Sequence, residues 1–428
     1  MRWLILLAML VMPAWGAGAE VAGEGSALED DLLGALVAEA LERSAELRAL
    51  EERVRGAEAM VGPAGALPDP MASVGISNVP VGSVDLDRTP MSGVSLGVSQ
   101  AVPAGAKRRL RRRAQEQDAA ALGARREDRR DDLVRQVKQA YIEVQYLDGA
   151  LAIMEESKRL AEDFLATAEA RYGTGRGLQQ DVFRAQVRLS RMIDMLVALR
   201  QGRAGAATRL NRLLYRPPGG PVPTLRPAVL TRVGVSGALL GARAEAESPA
   251  LEERRLRVEQ AGTEERLAAA GIRPDVTVGV SYRMRQSVPM DPVRGEDFWS
   301  ASVGMSLPWL YRKDTVDREV EAGAARREAA ELDLEAACNE LVARIEGLVI
   351  DTAREEEQIA LLETGLLPQA EGALASSRAA YATGQVELLT LLDNQMNLYN
   401  LQLQRLRLMA DHEADLAELE YVVGGGLE

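Results

Sequence analysis

From Leu133 onward, apolar residues return every three or four positions: Leu133, Val137, Ala140, Val144, Leu147, Leu151, Met154, Ala161, Leu165, Ala168 and Tyr172, with only Lys158 breaking the seam. A heptad stripe of that length predicts helix packed on helix at coiled-coil angles. The next stretch keeps the period through Val182, Ala185, Leu189, Met192, Leu196, Leu199, Ala206, Leu210 and Leu213. A third runs through Leu334, Cys338, Leu341, Ile345, Leu348, Ile359, Leu362 and Leu366, which assigns Cys338 to the seam as a small buried hydrophobe. Four short segments follow another rule. Residues 71–79, 93–102, 275–282 and 300–307 alternate apolar with small or polar side chains, the period of a strand.

These elements come twice. Ser44-Ala-Glu-Leu47 answers to Ser248-Pro-Ala-Leu251, Pro68-Asp69 to Pro274-Asp275, and Arg171-Tyr-Gly-Thr-Gly175 to Ala380-Tyr-Ala-Thr-Gly384. The offset grows from 204 (Ser44 to Ser248) to 209 (Tyr172 to Tyr381). Each unit reads as a helix, two strands, a very long helix, a glycine turn and a further helix, so an internal repeat governs the fold. The helix predicted over 107–171 would be on the order of 100 Å long. Its neighbours, 32–60 and 178–214, together approach that length; in the second unit 251–270 and 386–421 do the same beside 314–381. Two short helices stacked end to end along one long helix make a two-rod wall, and several walls make a tube. The expected divisions are a leader over 1–19, a first repeat over 20–215, a Pro/Gly-rich linker over 216–247 and a second repeat over 248–428.

Arg2, the apolar run 3–12 and Ala17-Gly18-Ala19 have the order of a secretory leader. The strands are near the length of about 9–11 residues that a tilted strand needs to cross a bilayer. Trp299 and Trp309, beside Phe298 and Tyr311, bracket the fourth strand as interfacial aromatics would; the first unit has none. Four strands cannot close a barrel, and lipid does not tolerate an open edge, so several chains must share one barrel. Three would give twelve strands. The Pro/Asp-containing connections 80–90 and 284–297 then face outward, and the long helices lie on the opposite side of the membrane.

Composition narrows the function. A formal net charge of −13 over 428 residues argues against a nucleic-acid partner. One cysteine and one histidine, Cys338 and His412, leave no disulfide framework and almost no material for a His/Cys metal site. No Ser/His/Asp set or phosphate-cradling loop is present, so neither an enzyme nor a cofactor is expected. The basic run that begins Lys107-Arg108 and ends at Arg113 follows the second strand, and Arg312-Lys313 follows the fourth. These patches either meet inner-leaflet headgroups or are solvated helix faces.

Leu67-Pro-Asp-Pro-Met71 with Asn78-Val-Pro80, then Val98-Ser-Gln100 with Pro103, Gly105 and Lys107, resembles the TolC-type outer-membrane efflux proteins, and within them the heavy-metal-efflux (CzcC- and CusC-like) branch. Arg171-Tyr-Gly-Thr-Gly175 with Asp181-Val182, and Tyr381-Ala-Thr-Gly384 with Leu392-Asp393 and Leu398-Tyr-Asn400, resemble the two hairpin tips of that family. The resemblance implies a mainly α chain with a small β part. It implies a homotrimeric channel-tunnel, with a shared twelve-stranded outer-membrane β-barrel, an α-helical coiled-coil barrel in the periplasm, and a belt that would include 216–241. The partners it implies are a periplasmic membrane-fusion adaptor, an inner-membrane pump of the resistance-nodulation-division type, and outer-membrane lipid. By the same resemblance Asp393, Thr390, Asp181 and Tyr381 belong to the periplasmic gate, with Thr390 standing where the family has an acid and Val386 where it has an arginine. Arg171, Tyr172, Gly175 and Gly384 belong to the adaptor-docking tips. The function implied is passive conduction of cargo, metal cations first. The alternatives are the same channel serving drug efflux or type I secretion, and a secreted coiled-coil rod with no pore.

Overall fold

The computed structural model describes residues 31–82, 85–226, 228–232, 234 and 236–427; the leader expected over 1–19 lies outside them. The elements run α1 (Asp31–Arg43), α2 (Ala45–Ala64), β1 (Met71–Ser77), β2 (Gly93–Val102), α3 (Gly105–Gly173), α4 (Gln179–Leu213), α5 (Gly237–Glu247), α6 (Pro249–Ala269), β3 (Val276–Arg285), β4 (Phe298–Met305), α7 (Pro308–Tyr311), α8 (Lys313–Leu361), α9 (Leu367–Thr383) and α10 (Leu388–Val423).

The first long rod, α3, runs unbroken for 69 residues, about 100 Å at 1.5 Å per residue. Near the sheet it lies against α2, where Arg108 Nε donates to Gly65 O (2.9 Å) and Gln115 Nε2 to Ala57 O (3.3 Å). Farther along it lies against α4, tied by Arg203 to Asp148 (3.0 Å) and Arg200 to Glu155 (2.6 Å). The expected seam is the packed face: Leu133, Val137, Val144, Leu147, Met154, Ala161 and Ala168 are buried, and Tyr172 at its end is exposed.

The second long rod departs from expectation. The helix predicted over 314–381 is broken into α8 and α9 by a π-helical turn, Leu362–Leu366. Pro368 accounts for it: proline has no N–H to give the carbonyl four residues back, and its ring crowds that turn. The equivalent position of α3 is Arg159, which imposes no such break. Cys338 also differs from expectation, being only half-buried, because one side of α8 is left uncovered within the chain.

Both repeats open on the same joint, built with different chemistry. Ser44 ends α1 and caps α2, its Oγ accepting from Leu47 N (3.2 Å). Ser248 ends α5, and there Pro249 at the first position starts α6. The linker expected over 216–247 is not all Pro/Gly coil: its end forms α5, which packs Leu240 and Ala244 on Ile345, Leu419 and Val423. The extended part is strapped down by side chains. Asn211 Nδ2 donates to Gly220 O (2.8 Å), Arg203 Nη2 to Val222 O (2.8 Å) and Gln145 Nε2 to Arg226 O (3.1 Å).

The strands form one antiparallel sheet in the order β1-β2-β3-β4. β3 reaches Arg285 rather than Tyr282, while β1 stops at Ser77, where Asn78 takes a positive φ of 59°. The register sorts the side chains by face. Val74, Leu96, Tyr282 and Trp299 stand in one row, Ala72, Val98, Val280 and Ala301 in the next, then Val278 with Val303, and Val102, Val276 and Met305. The opposite face carries Ser73, Gly97, Ser281 and Ser300, then Ser99, Gly279 and Ser302.

Candidate functional site

One sheet face is therefore mostly apolar, interrupted by Gln100, and the other is mostly serine and glycine, with Met71, Arg283 and Phe298 among them. The apolar face is largely exposed within one chain: Val74 is 74% exposed, Val303 76% and Trp299 74%. An ordinary half-buried sheet hides its apolar side, whereas a wall between lipid and water shows this pattern. Trp299 packs its ring on Tyr282 with centroids 5.0 Å apart, and Trp309 lies in α7 just past β4. Among the described residues, no helix is long and apolar enough to cross a membrane.

The basic residues next to the sheet divide. Arg312 and Lys313 are exposed, paired to Glu319 (3.2 Å) and Asp317 (2.7 Å). Arg108 is half-buried on Gly65, and Lys107 turns inward. Lys107 Nζ donates to Arg273 O (2.8 Å) and Asp275 Oδ1 (3.0 Å), and Asp275 also accepts from Ala104 N (2.9 Å). This is a joint between the start of α3 and the foot of β3, so Lys107 is not free to meet a headgroup. At the far end of the sheet Arg285 ties the two outer connections together. It pairs with Asp291 (2.9 Å) with both side chains almost fully buried, donates to Pro90 O, and stacks 4.9 Å from the Phe298 ring. The strand pattern gave no sign of this knot, because its partners lie in irregular chain.

The tips lie at the other end. Gly175 (φ 70°) and Gly384 (φ 79°) sit in the left-handed region that ends each long helix. Both turns close with the same bonds: Gly175 N to Tyr172 O and Arg176 N to Arg171 O; Gly384 N to Tyr381 O and Gln385 N to Ala380 O. The side chains break the symmetry. Tyr172 is 48% exposed, whereas Tyr381 is 4% exposed and packs with Phe164, Ala185, Leu388 and Leu392. Arg171 reaches across from the first tip, its guanidinium 4.7 Å over the Tyr381 ring, and donates to Tyr381 O. Burial raises the Tyr381 hydroxyl above the usual tyrosine range, the charge of Asp181 adds to this, and Arg171 opposes it. Val386 packs into the same cluster, and Arg171 is the cation over the Tyr381 ring.

On α10, Thr390 and Asp393 are exposed and three residues apart, on one helix face. Asp393 is met by Arg188 Nη2 at 3.6 Å. Beside them Phe183, Val187, Ile193 and Val197 form an exposed apolar stripe on α4, continued by Leu389. The heptad seam of α4, through Ala185, Met192 and Leu196, is its buried face and runs beside this stripe. The described residues contain no group of three or more His, Cys, Asp or Glu able to hold a metal ion.

An exposed two-faced sheet carried on paired rods about 100 Å long is the protomer architecture of the outer-membrane channel-tunnels. Three solved structures share it. The outer-membrane channel OprN superposes with a TM-score of 0.80 at 16% identity, covering 94% of this chain and 91% of that one. VceC of Vibrio cholerae gives 0.77 at 21% identity, with 93% and 97% covered. CusC gives 0.79 at 18% identity, with 93% of each covered. The outer membrane efflux protein family model matches residues 36–214 and 240–425, so the chain belongs to that family. No curated protein matches it.

Proposed function

We propose that this protein is the outer-membrane exit duct of a tripartite export system, in which three copies close a twelve-stranded barrel over a helical tube. The two-faced sheet carries this reading. Within one chain it ends on β1 and β4, and an edge in lipid must find a partner; a further copy supplies one. The uncovered apolar stripe of α4 gives neighbouring copies a second place to meet. The tips, with Arg171, Tyr172, Gly175 and Gly384 at the turns, are the natural docking surface for a periplasmic adaptor and an inner-membrane pump. Asp393, Thr390 and Asp181 form the gate at the narrow end, with Tyr381 packed behind them. Trp299, Trp309, Arg312 and Lys313 mark the level of the bilayer.

For cargo, the likeness to the heavy-metal branch and the acidic chain favour metal cations, with Asp393 from three copies forming a carboxylate ring that attracts them. Conductance of the purified protein across a planar bilayer is the deciding measurement. Discrete cation-preferring steps support the duct; a detergent-stable rod that carries no current overturns it. Growth of a deletion strain on copper, silver, zinc, cobalt and cadmium salts, beside hydrophobic drugs, then sorts the cargo.

A further inference from the structure

Midway along the tube, α8, α10 and the linker meet around the chain's one histidine. His412 is fully buried, and its Nε2 lies 2.7 Å from Thr231 O. A carbonyl only accepts, so Nε2 carries the hydrogen and Nδ1 is left to face elsewhere. It faces Glu355 Oε2 of α8 at 3.9 Å, and neither atom has a hydrogen-bond partner although both residues are at least 96% buried. The next residue, Glu413, grips the same linker residue: its carboxylate accepts from Thr231 N (2.7 Å) and Thr231 Oγ1 (3.1 Å). Two consecutive residues of α10 thus hold Thr231 by three bonds, and the ring that makes one of them looks straight at a buried carboxyl.

We infer that His412 and Glu355 form a proton-binding site that fastens the linker to the α8/α10 pair. With Nε2–H committed to Thr231, a bare Nδ1 opposite an ionised Glu355 leaves two buried electron-rich atoms with no hydrogen between them. One proton placed between them satisfies both, and a small turn of the Glu355 carboxyl closes the gap to hydrogen-bond length.

The surrounding charges point the same way. On α8, Arg354 Nη2 lies 3.1 Å from Glu355 Oε1 but also binds Asp351 at 2.7 Å. On α10, Asp411 is held by Arg407, which also binds Glu143 of α3, and Glu418 is held by Arg135 of α3 and Arg344 of α8. Lys138 of α3 takes Glu420. Asp415 is left facing the cluster, raised to about 6 by burial and then by Asp351, Asp411 and Glu418. Burial first, and Asp415 second, push Glu355 up to about 7. A carboxyl raised on folding contributes stability while it holds its proton and loses that contribution as pH rises through its folded value. The fastening is therefore tight in acid and slackens through about pH 7. Glu355 sits about two helical turns before the π-helical break at Leu362.

The test is hydrogen exchange of the full-length protein in detergent from pH 5.5 to 8.5, with rates corrected for intrinsic exchange. Protection of residues 228–232 is expected to fall at least tenfold across that range in the native chain. Glu355→Gln, an uncharged isostere, is expected to stay protected throughout. Asp415→Asn is expected to shift the transition to lower pH without removing it. Flat protection in the native chain overturns the inference whatever the variants do, and so does an unchanged transition in Glu355→Gln.

Discussion

Gly175 and Gly384 occupy matching turns, yet their surroundings differ. A Cβ at Gly175 meets nothing within 4 Å, while one at Gly384 comes to 3.0 Å from Arg171 Nη2. Alanine at Gly175 should therefore cost only the left-handed strain, about 1–2 kcal/mol. Alanine at Gly384 adds displacement of the guanidinium from Tyr381. Hydrogen exchange at the two tips checks this: Gly384→Ala should speed exchange in both hairpins, and Gly175→Ala in its own alone. The glycines were legible in the sequence because only glycine takes such turns freely. The role of Arg171 was not, since its target is 210 positions away and the heptad pattern says nothing about what a long side chain reaches. The inward turn of Lys107 was hidden for the same reason: a basic run beside a strand shows nothing of Asp275 folding against it.

Among the elements, the joints carry the information. Ser44→Ala should cost about 1 kcal/mol by removing the N-cap of α2, read as a lower melting temperature with unchanged helix content. Pro368→Ala should restore the missing N–H and let α8 run into α9, so that amides 362–368 exchange more slowly and the second hairpin stiffens. Unchanged exchange there would assign the π turn to packing rather than to proline. Helix existence and approximate length were plain from the heptads, because burial along a seam repeats whatever its partner is. The breaks were not, as the apolar period passes through Ser44 and Pro368 without a change of phase. The linker's α5 was hidden among prolines and glycines that read as coil.

At the scale of the whole molecule, the sheet's two faces make the sharpest prediction. Val280→Lys should oppose membrane insertion by about 2–4 kcal/mol, as charge on a lipid face does at mid-depth. Ser281→Lys, one residue on and facing the other way, should insert normally and lower the conductance. Heat-modified mobility of the reconstituted protein and bilayer current separate the two outcomes. The alternation behind this was readable at once, for a strand's period of two sorts faces without tertiary information. Which strands pair, and how a knot such as Arg285 with Asp291 closes the outer connections, depends on contacts between distant segments that no local pattern encodes. The lining of serine and glycine has one more consequence. Along these rows a passing ion would meet small uncharged groups that favour no one cargo, and the fixed charge on that face is Arg283, beside Ser95. Chemical choice then belongs to whatever loads the duct, and the same chain could change masters without changing its pore.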